Sequence, residues 1–138
     1  MFQTFLHQTN YLAIIVSAVI VFGLGALWYS PIAFAKSWME CIGKSPEQLR
    51  AGSKSYYLFT LICILIYCFV LAFIVWFLGT SGVMGAIKVG LFFGGGFVFT
   101  TYAINNMFAL RPIKLIFIDA GYHITGIVIA TIVLSLWK

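Results

Sequence analysis

Four stretches of this chain, about residues 10–30, 56–78, 83–109 and 113–137, each stay apolar over the roughly 20 residues an α-helix needs to cross a bilayer. With 63% hydrophobic and only 8% charged residues, the remainder is too small and too polar to build a soluble domain. The sequence therefore predicts an all-α integral membrane protein, a four-transmembrane-helix bundle folded as one membrane domain over residues 1–138. The first run has no basic region before it, and Trp28, Tyr29 and Pro31 stand where a secretory signal would carry small residues, so it is read as a retained helix.

The connections divide the crossings into two hairpins. Between the first and second lies KSWMECIGKSPEQLRAGSKS, where Ser45 suits an N-cap and Pro46 a first helical position, which predicts a short interfacial helix after the first crossing. Little more than GTSG joins the second to the third. At the third connection Pro112 fixes its own backbone and disfavours helix at Arg111, giving a tight turn. Lys36, Lys44, Arg50, Lys54, Arg111 and Lys114 share the side of the first and third connections, whereas Lys88 and Lys138 belong to the other half. The positive-inside bias then makes connections 31–55 and 110–112 cytoplasmic and both termini external. The net charge of +5 is thereby explained by topology and anionic headgroups, with the lipid bilayer as partner and no role for nucleic acid.

Polar residues inside the spans locate a candidate site. Asp119 and His123 lie one helical turn apart on one face of the last crossing, where a charge near the bilayer centre costs roughly 2.5–3.5 kcal/mol. A rise of 1.5 Å per residue sets Asp119 roughly 9 Å and His123 roughly 15 Å from the cytoplasmic end. Thr101, Asn105, Asn106, Arg111 and Tyr122 approach the same region, and Trp28, Tyr29, Ser30, Pro31, Lys36 and Trp38 form an interfacial motif at the same surface. Each has a plainer reading: the aromatic residues, with Tyr56 and Tyr57, as a headgroup belt, the amides as interhelical hydrogen bonders, and Asp119 with His123 as a self-satisfied pair. Ala86, Gly90 and Gly94 make a small-residue stripe for close helix packing, within the monomer, with Gly23 and Gly25 as a possible receiving surface, or in a homo-oligomer. The triple glycine 94–96 also weakens the helix and permits a bend. Cys41, Cys63 and Cys68 show no metal or disulfide spacing, and neither metal nor cofactor is expected.

The segments GALWYSPIAFAKSWMECIG and NNMFALRPIKLIFIDAGYH resemble a family of small bacterial four-helix membrane proteins catalogued as domain of unknown function 1761. Its pattern, G-x-x-W-Y-S-P, F-x-K-x-W, N-N, R-x-x-K and N-A-G-Y, falls on Gly25, Trp28, Tyr29, Ser30, Pro31, Phe34, Lys36, Trp38, Asn105, Asn106, Arg111, Lys114, Ala120, Gly121 and Tyr122. Asp119 stands where that pattern has asparagine, which puts a proton-carrying role in question. The resemblance implies a bacterial inner-membrane location and no activity.

Two functions follow as expectations. The first is a homo-oligomeric channel or transporter for protons, cations or a small solute, with Asp119 and His123 on the path; an imidazole ordinarily titrates at about pH 6.5. The alternative is an accessory or binding protein that engages lipid headgroups, an isoprenoid or a membrane partner. An intramembrane enzyme with His123 as general base is the weakest reading, since no nucleophile signature accompanies it.

Overall fold

The computed structural model describes residues 1–52 and 54–137; Lys138, assigned above to the external side, lies outside them. Its helices are α1 Phe2–Gln8, α2 Tyr11–Trp28, α3 Ala35–Ile42, α4 Pro46–Arg50, α5 Ser55–Phe77, α6 Gly82–Phe93, a π-helical stretch Gly94–Phe99, α7 Thr100–Phe108 and α8 Ile113–Leu136. Four of these units have the length and apolarity to cross a membrane: α2, α5, the continuous α6–π–α7 rod Gly82–Phe108, and α8. All lie within a residue or two of the stretches marked by hydropathy.

Local chemistry sets the ends. The Asn10 side chain accepts from the Ala13 N–H at 3.1 Å and starts α2. Ser45 and Gln48 form a reciprocal capping box with Pro46 opening α4, as the sequence predicts. Three consecutive glycines favour the wider π turn, and Thr100 donates its hydroxyl back to the Gly96 carbonyl at 2.7 Å beside it.

α8 is the hub. It packs on α2, α5, α6, the π stretch and α7, whereas α5 makes no extensive packing with the third crossing. Close approach is built into the α6 face: a Cβ on Gly90 would sit 2.8 Å from the Val128 Cα, and one on Gly94 3.1 Å from Ile124. Ala86 is fully buried, and its carbonyl accepts from the Thr131 hydroxyl at 3.0 Å. The stripe of Ala86, Gly90 and Gly94 thus serves packing within the monomer against α8. Gly23 and Gly25 do not receive it: Gly23 has nothing near its Cβ direction, and Gly25 faces the Tyr122 ring. Much of the third crossing, including Leu91, Phe92, Phe97 and Ile104, points outward as a lipid-facing surface should.

α1 is not expected from the sequence. Its Phe5 is buried, with ring centroids 5.5 Å from Phe69, 5.2 Å from Phe73 and 5.7 Å from Trp76, and Gln8 accepts from the Trp76 indole at 3.0 Å. Seven residues are too few to hold a helix alone, so this aromatic seat on α5 carries it.

The two hairpin-closing helix ends contrast. α5 ends on a Schellman turn with Gly79 in the left-handed region, Thr80 N–H bonding to the Val75 carbonyl at 2.9 Å. α7 makes the same turn, Arg111 N–H to the Asn106 carbonyl at 3.0 Å, but places Leu110 at φ 52°. A side chain there costs about 1 kcal/mol or more. Leu110→Gly is expected to raise unfolding stability by about 1 kcal/mol. Denaturant unfolding in detergent checks this, and an unchanged or lower stability contradicts it.

Candidate functional site

At the end of the bundle where the first and third connections lie, α8 forms the floor of a cavity of about 420 Å³. One wall comes from α5 through Phe59, Thr60, Cys63, Ile64 and Tyr67, and the other from Tyr29, Trp38 and Tyr102; Asp119, Tyr122 and His123 lie between them. Since α5 and the third crossing barely meet, the cavity opens sideways between them.

The wall is assembled by a motif-on-motif fit between the first crossing and the last. The Trp28 indole N–H donates to the Ile118 carbonyl at 3.0 Å, and its ring edge lies where Gly121 has no side chain, 3.2 Å from an added Cβ. The Tyr122 hydroxyl donates to the Val21 carbonyl at 3.2 Å and occupies the space left by Gly25. One turn along α8 from His123, Asp119 accepts from the Tyr29 hydroxyl at 2.9 Å. Ser30 and Pro31 supply the turn after α2, with Phe34 N–H bonding back to the Trp28 carbonyl at 3.0 Å, so that Phe34 covers the Trp28 ring at 4.8 Å. The turn also brings Trp38 of α3 to 5.1 Å from Tyr29.

Trp28, Tyr29 and Trp38 are half-buried and pack toward α8, which offers Gly121, the Asp119 carboxylate and the Ile118 carbonyl at matching heights, contacts that a headgroup belt alone does not require. The belt reading fits Tyr56 and Tyr57, both exposed.

Asp119 and His123 share a face but form no pair with each other among the described residues. The carboxylate accepts from Tyr29, whose ring packs on Trp38, and Arg111 acts on it through charge. The imidazole stacks on Tyr102 at 5.3 Å and lies 4.6 Å from Tyr122, and its nitrogens have no hydrogen-bond partner among the described residues. Arg111 and Lys36 are exposed at the rim side, as are Ser30's neighbour Pro31 and Lys114. Thr101 and Asn105 turn outward and do not line the cavity. Asn106 is buried, but its amide donates to the Tyr102 carbonyl at 2.9 Å within its own helix.

The α5 wall is missing from the sequence reading. Its signal is a stripe at helical spacing, Thr60, Cys63 and Tyr67, on an otherwise aliphatic and aromatic helix. The Tyr67 hydroxyl is buried without a partner among the described residues. Beyond His123 the helices close: Gly126 lies against Val21 and Tyr67, and Ile124 against Gly94. At the other end α1, α5 and α8 enclose a separate cavity of about 90 Å³.

A family comparison matches residues 12–135 to the family described as Protein of unknown function (DUF1761). No curated protein and no solved structure matches.

Proposed function

Because this chain belongs to the DUF1761 family, a membership that brings no activity with it, we propose from its own geometry that it is a membrane binding protein whose lateral pocket takes the polar head of an amphiphile. The observation that carries this reading is the side opening between α5 and the third crossing, with Asp119 and His123 at its floor. A volume of about 420 Å³ falls in the range of small-molecule sites, and the lateral gap lets an apolar tail remain in lipid. Six of the eight basic residues lie at the pocket end, which favours a cytoplasmic opening with both termini external, in a bacterial inner membrane.

Transport keeps one supporting observation, the His123 nitrogens in the cavity, which have no hydrogen-bond partner among the described residues. Helix packing beyond His123 fills the monomer, so a path would need a second copy, for which the open Gly95 and Gly96 surface offers close approach.

A photoreactive amphiphile tests the pocket. Crosslinks are expected at Phe59, Cys63 and Tyr102, to saturate, to be competed by excess unlabelled amphiphile, and to vanish in Cys63→Trp, which fills the cavity from an exposed position. Labelling that spreads evenly over lipid-facing residues and never saturates counts against it.

A further inference from the structure

We infer that the head this pocket selects is an organic cation, an ammonium or phosphonium centre on an apolar body. This rests on the pocket reading above and adds the sign of the charge. Trp38, Tyr29, Tyr122, His123 and Tyr102 form an unbroken run of rings, with successive centroids 5.1, 5.5, 4.6 and 5.3 Å apart. Ring faces attract a cation lying within about 6 Å of a centroid, most strongly where water is excluded. Asp119 sits along this run, and among the described residues no basic side chain comes within ion-pairing distance of it. A half-buried carboxylate that Arg111 reaches only from beyond ion-pairing distance is incompletely compensated, and an incoming cation supplies a closer charge.

Two of the lining hydroxyls are already committed. Tyr29 already donates to Asp119 and Tyr122 to the Val21 carbonyl, so neither is free for a phosphate, which would also meet the carboxylate. Phe59 and Ile64 on the facing α5 wall suit an apolar body rather than a second charge.

Equilibrium binding of tetraphenylphosphonium to the full-length protein in dodecyl maltoside tests this, with triphenylphosphine oxide as a neutral probe of similar bulk. Saturable binding is expected, and Asp119→Asn, which keeps an acceptor for Tyr29, should weaken it roughly tenfold or more. Tyr102→Phe, which keeps the ring, should leave affinity within about twofold, whereas Tyr102→Leu should reduce it by about threefold or more. Equal binding of the neutral probe, or an unchanged affinity in Asp119→Asn, overturns the cation inference and leaves the pocket standing. Failure of both probes to bind saturably overturns both. Displacement by phosphatidylethanolamine supports a lipid amine as the source, and displacement only by dodecyltrimethylammonium supports a water-soluble cation. Displacement by neither overturns a shared ammonium site.

Discussion

Replacing Gly90 with leucine is expected to unseat the third crossing and to cost about 3 kcal/mol or more. A Cβ at this position would already lie 2.8 Å from the Val128 Cα and 2.9 Å from the Thr131 hydroxyl, and backbone on a packed helix cannot swing aside as a side-chain tip can. Separation of α6 from α8 would also break the Thr131 to Ala86 hydrogen bond and expose buried polar groups to lipid. A Cβ at Gly95 or Gly96 meets nothing within 4 Å, so leucine at either position should leave stability nearly unchanged. Cys68 reports the difference, being fully buried: with Cys41 and Cys63 changed to serine, its thiol reacts only when the bundle opens. The labelling midpoint on heating should fall by roughly 10 °C for Gly90→Leu. A Gly90→Leu midpoint equal to that of Gly95→Leu contradicts the packing described.

Trp28→Ala is the second large effect, at about 3 kcal/mol. A tryptophan that merely anchors a helix at the headgroups would lose far less. Here the indole fills the space above Gly121, meets the tilted Phe34 ring, and donates to the Ile118 carbonyl. Trp28→Phe keeps an aromatic ring and gives up the N–H bond, so its loss should be about 1 kcal/mol. Unfolding curves of the three proteins in one detergent separate the contributions. If alanine and phenylalanine cost the same small amount, Trp28 belongs to the belt after all.

These two positions illustrate what could be read from the sequence. Long apolar runs leave one structural solution in lipid, and Ser45, Pro46 and Pro112 act within a few residues of themselves, so crossings, interfacial helix and hairpin turns were all legible. Facing was not. Depth arguments place Asn105 and Asn106 equally well, yet adjacent residues on a helix point about 100° apart, and the structure turns Asn106 in and Asn105 out. An aromatic residue near the end of a crossing is equally compatible with headgroups and with a neighbouring helix. Only the pairing of α2 with α8 shows that Gly25 and Gly121 are the spaces for Tyr122 and Trp28. Likewise Asp119 and His123 are correctly read as one face, but their partners come from the first crossing and from α7, which spacing within α8 cannot reveal. α1 owes its existence to rings on α5 some sixty residues later.

The central position of α8 has a consequence for biogenesis. The ribosome delivers this helix after the other three crossings, and α2 and α5 can pair as soon as both are in the membrane. The glycine face of α6 has no such early companion. Until translation reaches residues 113–136, it must wait in lipid or against insertion machinery, which makes the interval before the last helix arrives the period when this protein is most open to proteolysis and misassembly.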